Sequence, residues 1–200
     1  MIRAFALALS LTLASASTSL AQDAGQAIFA GGCFWCVESD FDKVPGVIST
    51  TSGYIGGENE NPTYENHTRY RHREAVLIEY DSGQVSYDQL LHSFFRSVDP
   101  LDAGGQFCDR GFSYSTAIYG VDARQLERAN AARDEAESVL GQEVATEIVA
   151  APTFWPAEEY HQDFYRKNPL RYSFYRNACG RDQRLREVWG GQALSGIGGS

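Results

Sequence analysis

Cys33 is the residue whose surroundings best suit nucleophilic chemistry. It follows an apolar stretch, Gln26 to Ala30, and the pair Gly31-Gly32, and apolar residues at helical spacing come after it. We therefore expect its sulfur at the first turn of a helix, where unpaired N–H groups and the helix dipole favour an anion. Such a position lowers the pKa of a thiol. Because the thiolate is the nucleophilic form, the sequence predicts a reactive cysteine.

A second cysteine, Cys36, stands three residues after the first. This C-x-x-C spacing lets two sulfurs meet across one helical turn and form a disulfide. The spacing also occurs in zinc sites, where Cys108, Cys179 or a histidine could supply the two missing ligands. The chain has no second C-x-x-C, so a redox pair is favoured over a metal site.

The elements that must hold these cysteines follow from hydrophobic periodicity. Segments rich in β-branched residues predict strands, and apolar residues at helical spacing predict helices. The predicted strands are 26–30, 47–55, 74–80, 114–121 and 143–151, and the predicted helices are 33–44, 86–98, 122–140 and 157–166. This interleaving predicts an α+β fold, a single layered domain without internal repeats.

The first 21 residues have the composition of a secretory signal peptide. Arg3 precedes the apolar stretch Ala4 to Leu13, and small residues lead to an expected cleavage site after Ala21. That stretch is shorter than the roughly 20 residues that cross a bilayer. We therefore expect the mature chain, residues 22–200, to be soluble and either periplasmic or secreted. Loss of Arg3 takes the net charge from −9 to −10, which disfavours nucleic acid and anionic membranes as partners.

The residues around Cys33 resemble a family signature. Gly32-Cys33-Phe34-Trp35 is similar to the GCFW motif of the A-type peptide methionine sulfoxide reductases. Other motifs follow in the family's order: Pro45-Gly46-Val47, Gly53-Tyr54-x-Gly56-Gly57, Asn61-Pro62-Thr63-Tyr64, Glu74-Ala75-Val76, Asp99-Pro100 and Asp109-Arg110-Gly111 with Tyr114. Because several motifs agree in order from about Ile28 to Trp189, the match is far more specific than one tetrapeptide.

The resemblance implies a fold, an activity and a set of site residues. The fold would be the two-layer α/β sandwich of this family, a catalytic domain over 22–200 with a flexible C-terminal tail. The activity would be the reduction of methionine S-sulfoxide, free or in peptides, to methionine. Cys33 would attack the sulfoxide sulfur, and Glu74 would be the acid that acts on its oxygen. The other implied residues are hydroxyl donors to that oxygen, a carboxylate for the substrate's backbone amide, and rings around the S-methyl group: Tyr64 and Tyr114, Asp109, and Phe34 and Trp35.

The implied cycle leaves Cys33 as a sulfenic acid, which a second cysteine converts into an intramolecular disulfide. Cys36 is nearest in sequence, whereas Cys179, in a glycine-containing tail, matches the mobile resolving cysteine of many relatives and is slightly favoured. Both could act as a relay toward an external dithiol. Cys108 replaces an Asn of many relatives and is interpreted as a substrate-loop residue. No tightly bound cofactor is implied. The reductant would be thioredoxin-like or a membrane-linked periplasmic dithiol donor.

The loop before Glu74 departs from the family pattern. Residues 66–73 lack the usual Cys and Thr-Gly-His, and Tyr70-Arg71-His72-Arg73 stands there instead. The extra cations Arg71 and Arg73 are expected to lower the pKa of Glu74, which would weaken it as an acid at neutral pH.

Two other functions fit parts of the sequence. Export and the Cys33/Cys36 pair suggest a periplasmic thiol–disulfide oxidoreductase. Against it, the 11 mature residues before Cys33 leave room for only one strand, and Pro156 would have to supply a cis-proline at the active site. The other is a non-catalytic binding module, metal-loaded or disulfide-braced, whose aromatic loops recognise a protein. Stoichiometric zinc, or the lack of a rapidly alkylated thiol, would favour that module.

Overall fold

A six-stranded sheet is the frame of the fold, which the computed structural model describes over residues 24–198. The strands in chain order are β1 (Ala24–Ala30), β2 (Val47–Ile55), β3 (Arg73–Asp81), β4 (Gly105–Gln106), β5 (Asp109–Arg110), β6 (Ala117–Gly120), β7 (Glu147–Ala150) and β8 (Phe154–Pro156). The order across the large sheet is β7-β6-β1-β3-β2-β8, and β4 pairs with β5 in a separate hairpin. In the large sheet the pair β6–β7 is parallel and the other pairs are antiparallel.

Helices cover one face of this sheet. Those within the described residues are α1 (Phe34–Phe41), α2 (Tyr87–Arg96), α3 (Ala123–Leu140), α4 (Phe164–Lys167), α5 (Pro169–Ala178) and α6 (Arg181–Trp189). Two 3₁₀ turns lie at Phe112–Tyr114 and Gly190–Gln192. Successive side chains of a strand point to opposite faces. Ala27 and Phe29 accordingly join the main core under the helices, while Ile28 and Ala30 join a small cluster on the other face. The predicted α+β two-layer sandwich is confirmed.

The turn between β1 and α1 fixes the position of Cys33. Gly32 has a φ of +85°, a left-handed conformation that glycine adopts without strain. A Cβ at Gly32 would lie 2.6 Å from the Cβ of Gln106, so any larger residue at this position would clash with Gln106. Cys33 then occupies the N-cap of α1, as the sequence predicts.

Two predicted helix starts are confirmed by their caps. The Ser86 hydroxyl accepts a hydrogen bond from the Gln89 N–H, and the Gln89 side chain accepts one from the Ser86 N–H. This reciprocal pair is a capping box that satisfies two backbone donors. At α3, the Asp122 carboxylate accepts from the Gln125 N–H.

The predicted helix over 157–166 is wrong for residues 157–163, and only residues 164–166 are helical. Residues 159–163 form turns that lead into the short α4. The Ala157 N–H donates to the Ser52 carbonyl, and the Gln162 side chain bonds to both the N–H and the carbonyl of Ser52. Hydrogen bonds to the edge of β2 have therefore replaced helical ones.

The end of the chain is more ordered than the expected flexible tail. Residues 169–189 form α5 and α6, and Leu185 and Trp189 are buried in the main core. The Trp189 indole N–H donates to the Val98 carbonyl at 3.0 Å. Cys179 consequently lies between two packed helices.

The predicted signal peptide, residues 1–21, lies outside the described residues. Over 24–198, the structure contains no helix with both the length and the apolar character needed to cross a membrane.

Candidate active site

One pocket collects most of the predicted site residues. It is lined by a cysteine, two acidic residues and five aromatic residues: Cys33, Phe34, Trp35, Tyr64, Glu74, Asp109, Tyr114 and Tyr175. Seven of these eight are predicted from the sequence, and Tyr175 is the addition. They come from the β1–α1 turn, the first turn of α1, β3, β5, α5, a 3₁₀ turn and the loop before β3. Of the other predicted residues, Cys36 lies behind Cys33 in α1, and Cys179 is bonded elsewhere.

The protonation of the Cys33/Cys36 pair differs from the sequence prediction. Cys33 is only 7% exposed. Burial and the neighbouring Cys36 raise the pKa of the Cys33 thiol well above its ordinary value, although the nearby Tyr175 hydroxyl acts in the opposite direction. A hydrogen bond from Cys33 lowers the pKa of Cys36 to about 7, with help from Arg181 and Arg176. Burial therefore outweighs the helix dipole at Cys33, and Cys36 is the more acidic thiol of the pair.

Buried cations lie behind Cys36. Arg176 of α5 donates to Asp40 Oδ1 at 2.8 Å, and Arg181 of α6 has its Nε 3.9 Å from Asp40 Oδ2. Asp40 and Arg181 are both fully buried, whereas Arg176 is partly exposed. Arg176 also pairs with Asp182 at 2.7 Å, so the two arginines are balanced by two aspartates. Both guanidinium groups nevertheless act to lower the pKa of Cys36, while Asp40 acts to raise it.

Glu74 is buried in the pocket, at the start of β3. Its Oε2 accepts the backbone N–H of Phe34 at 3.0 Å, so the carboxyl also caps an unpaired donor of α1. Its Oε1 lies 3.7 Å from His67 Nε2. Burial raises the pKa of Glu74 to about 8, even though the Phe34 N–H acts to lower it. The carboxyl is thus largely protonated at neutral pH and can donate a proton.

The expected effect of the neighbouring arginines on Glu74 is wrong. Arg73 points to the opposite face of β3, where it donates to Ser115 and Tyr119 and pairs with Glu147 at 2.8 Å. Arg71 stacks over the ring of Phe112. The alternation of side chains along a strand separates residue 73 from residue 74, so the arginine does not stabilise the Glu74 carboxylate.

Two tyrosines present hydroxyl groups to the pocket. Tyr64 is 42% exposed at the pocket mouth, and its backbone N–H donates to Glu158 Oε1 at 2.9 Å. Tyr114 ends the 3₁₀ turn that follows β5. Burial raises the pKa of both phenols, so each remains a neutral hydrogen-bond donor.

The aromatic wall is fixed by contacts outside the pocket. Trp35 stacks on Phe164, with ring centroids 3.7 Å apart, and its indole N–H donates to His161 Nδ1 at 3.1 Å. Phe34 packs against Tyr54 and His161. Rings held in this way form a rigid apolar surface beside the Cys33 sulfur.

Asp109 and Tyr175 meet at one edge of the pocket. The Tyr175 hydroxyl donates to Asp109 Oδ2, and Tyr175 lines the same pocket as Cys33. Burial raises the pKa of Asp109, although the Tyr175 hydrogen bond opposes this shift. Tyr175 is one of eleven tyrosines, and no spacing in the sequence distinguishes it from the others.

Cys108 and Cys179 form a disulfide across 71 positions of sequence. The interpretation of Cys108 only as a substrate-loop residue is therefore incomplete, because its sulfur ties the β4–β5 hairpin to the end of α5. Asp109 follows Cys108 directly, and Tyr175 precedes Cys179 by one helical turn. The disulfide thus lies beside the Asp109–Tyr175 contact. Cys33 and Cys36 are free thiols.

Cys108, Asp109 and Cys179 are also the one group of residues within 24–198 whose ligand atoms lie close enough to hold a metal ion. In the disulfide its two sulfurs are bonded to each other, so they are not available as thiolate ligands.

Comparison with known proteins identifies relatives over almost the whole described chain. The family model described as peptide methionine sulfoxide reductase matches residues 25–193. The protein named peptide methionine sulfoxide reductase MsrA 2 of Rhizobium meliloti is 53% identical over 171 residues, which cover 86% of each chain. Its namesake in Caulobacter vibrioides is 45% identical over 189 residues, 94% of this chain and 96% of that protein.

Solved structures show the same fold. Methionine sulfoxide reductase A of Corynebacterium diphtheriae superposes with a TM-score of 0.71 at 31% identity, covering 76% of this chain and 78% of that one. Reduced Mxr1 of Saccharomyces cerevisiae gives 0.70 at 25% identity, covering 74% and 87%. Mxr1 has also been solved in complex with Trx2; that structure is 20% identical, with a TM-score of 0.52, and covers 74% and 91%.

Proposed function

The chain belongs to the peptide methionine sulfoxide reductase family and is an A-type member, a peptide-methionine (S)-S-oxide reductase, and we propose that it works through Cys33 in a two-thiol cycle. The observation that carries this mechanism is the pocket itself. A buried thiol, a protonated carboxyl and phenol donors surround one small space beside aromatic rings.

The first step reduces the sulfoxide. The proton of Cys33 passes to Cys36 along their hydrogen bond, and the Cys33 thiolate attacks the sulfoxide sulfur. Glu74 protonates the sulfoxide oxygen while the phenols of Tyr64 and Tyr114 donate to it. The sulfoxide gains two electrons and becomes a thioether. The protonated oxygen then moves from the substrate sulfur to the Cys33 sulfur as the bond between the two sulfurs breaks, so Cys33 loses two electrons and becomes a sulfenic acid.

The substrate is held at two ends. The rings of Phe34 and Trp35 enclose the S-methyl group, and the Asp109 carboxylate accepts a hydrogen bond from the backbone amide. A peptide-bound residue and an N-acylated amino acid both offer that amide, so peptides and small substrates suit the same pocket.

The second step forms a disulfide. The Cys36 sulfur attacks the Cys33 sulfenic sulfur, the S–OH bond breaks, and the oxygen leaves as water. We assign this role to Cys36 rather than to the slightly favoured Cys179. Cys36 already touches Cys33 and has a lowered pKa, whereas Cys179 is joined to Cys108. The Cys108–Cys179 pair would then relay the oxidation to an external dithiol by disulfide exchange.

The external reductant is proposed to be a thioredoxin-like dithiol protein, the class to which the Trx2 partner of the yeast neighbour Mxr1 belongs. The signal-peptide composition of residues 1–21 supports export. After export, the donor would be a periplasmic or membrane-linked dithiol. Membership of this family also favours sulfoxide reduction over general disulfide exchange and over a non-catalytic binding module.

Trapping of the sulfenic acid tests the cycle. Reduced enzyme receives one equivalent of methionine S-sulfoxide together with a 1,3-diketone that labels sulfenic acids, and the masses are measured. We expect Cys36→Ser to carry the label on Cys33, Cys179→Ser to carry a Cys33–Cys36 disulfide, and wild type to carry one disulfide and no label. Label on Cys33 in Cys179→Ser but not in Cys36→Ser would instead make Cys179 the resolving cysteine.

A further inference from the structure

Tyr175 shares the pocket with Asp109 and Cys33, the residues proposed to bind and attack the substrate. It projects from α5, its hydroxyl donates to the Asp109 carboxylate, and it lines the same pocket as Cys33. Its ring packs edge-on against Trp35, with centroids 5.8 Å apart. One turn later, Cys179 is tied to the hairpin that carries Asp109. The hydroxyl is therefore held at Asp109, in the pocket that contains Cys33.

A phenol has one proton and can donate one full hydrogen bond. Here that proton is directed to Asp109 Oδ2. While it stays there, it gives little stabilisation to a negative charge on Cys33, and burial keeps that sulfur protonated. A second donor to Asp109 would release the proton of Tyr175.

We infer that Tyr175 is a further catalytic residue that couples substrate recognition at Asp109 to ionisation of Cys33. When the backbone N–H of a substrate donates to Asp109, the Tyr175 hydroxyl rotates by its C–O bond and donates to the Cys33 thiolate. No bond between heavy atoms changes. The thiolate is thus stabilised only when the correct backbone group occupies the pocket, which limits reactions of Cys33 with other electrophiles. This inference rests on the proposed function.

Other titratable groups face the Cys33 sulfur as well. They are Cys36 from α1, Glu74 from β3, Asp109 from β5, Tyr64 from the loop before β3 and Tyr114 from the 3₁₀ turn. The test therefore compares substrates at one pH instead of relying on a pH profile alone.

The test uses two substrates that differ in one group. One is the S-sulfoxide of N-acetylmethionine N-methylamide. The other is its ester isostere, in which oxygen replaces the methionine's own backbone N–H. The measured quantity is the maximal single-turnover rate at saturating substrate for the reduced enzyme. Wild type, Tyr175→Phe and Tyr165→Phe are compared. Tyr165 is the matched control because its hydroxyl also donates to a carboxylate, Asp42 Oδ2 at 2.7 Å, outside the pocket.

We expect wild type and Tyr165→Phe to reduce the amide at least tenfold faster than the ester at saturation. A hydrogen bond to a charged group corresponds to roughly a 10- to 150-fold rate effect. In Tyr175→Phe the amide rate falls to about the ester rate, so the ratio approaches 1. A ratio in Tyr175→Phe equal to that of wild type would overturn the inference, as would a higher KM without loss of maximal rate, since Tyr175 would then only hold Asp109.

The wild-type ratio gives a test that does not depend on the variant's folding. Equal maximal rates for amide and ester in wild type would overturn the coupling and leave the proposed function intact. If wild type reduced neither sulfoxide, the proposed function would fail, and this inference with it.

Discussion

Burial controls the protonation of the individual residues in the pocket. Cys33, at a helix N-cap, has a raised pKa because its sulfur is shielded from water, and Glu74 is protonated at neutral pH for the same reason. Such shifts arise when a low-dielectric site disfavours a charged form. A buried thiol and a buried acid in one pocket suit a reaction that needs a thiolate and a proton at the same moment.

Glu74 gives a prediction with a defined sign. The acid form is active, and its pKa is about 8, so the single-turnover rate falls as pH rises above about 8. Cys36 has a pKa of about 7, so the sulfur pair gains its charge as pH rises through 7. We therefore expect the single-turnover rate to follow a narrow bell-shaped dependence on pH. Glu74→Gln removes the falling limb and lowers the rate by about 10²- to 10⁴-fold.

The matched control is Glu79→Gln. Glu79 lies on the same strand but is exposed and accepts a hydrogen bond from Ser49. Its pH profile should equal that of wild type. A falling limb near pH 8 that persisted in Glu74→Gln would assign the acid to another group.

The sequence locates the residues of the pocket better than it predicts their protonation. Cys33, Glu74 and Asp109 are found through the family motifs, and the structure brings them together. The direction of the Cys33 pKa was missed because dipole and burial act in opposite directions, and sequence shows only the first. Tyr175 was missed because a tyrosine in an ordinary helix carries no motif.

At the scale of elements, the pocket depends on joining the β4–β5 hairpin to α5. The sequence does not predict this junction, since Cys108 and Cys179 are separated by 71 positions and four cysteines allow three pairings. Strands and capped helices were predicted well where local periodicity and capping residues agree with the fold, as at β2 and α2. The turns after β8 are not predicted by the sequence, because their hydrogen bonds go to the distant residue Ser52.

The disulfide should stabilise the fold measurably. Closing a loop of this length restricts the unfolded chain, and a typical gain is about 2–4 kcal/mol. We expect the double variant Cys108→Ser/Cys179→Ser to lose that amount of free energy of unfolding, measured by denaturant titration without reductant. The variant should retain sulfoxide reduction with a small dithiol and lose it with a protein dithiol donor if the pair relays oxidation.

Wild type with all four thiols reduced is the control, and its midpoint should approach that of the double variant. Equal midpoints for oxidised wild type and the double variant would show that this bond does not stabilise the fold. Undiminished turnover of the double variant with the protein donor would remove the relay from the mechanism.

At the scale of the whole molecule, the sheet and its helices bring six separate chain segments to one pocket. The Gly31-Gly32 turn places Cys33, the proposed nucleophile, after the central strand β1, and the neighbouring strand β3 carries Glu74, the proposed acid. The two layers follow from alternation in the strands and from apolar helix faces, which is why the architecture was predictable. The position of α6 depends on long-range packing of Leu185 and Trp189, and that of α5 on packing of Tyr172 with Cys36 and Phe164, which no local pattern predicts.

Epimer-resolved turnover tests the central claim most directly. Wild type and Cys33→Ser are assayed with dithiothreitol on the separated S and R epimers of an N-acetylated methionine sulfoxide amide, and methionine formation is measured. We predict that wild type reduces the S epimer alone and that Cys33→Ser reduces neither. Reduction of the R epimer, or S-epimer turnover that survives in Cys33→Ser, would contradict the account.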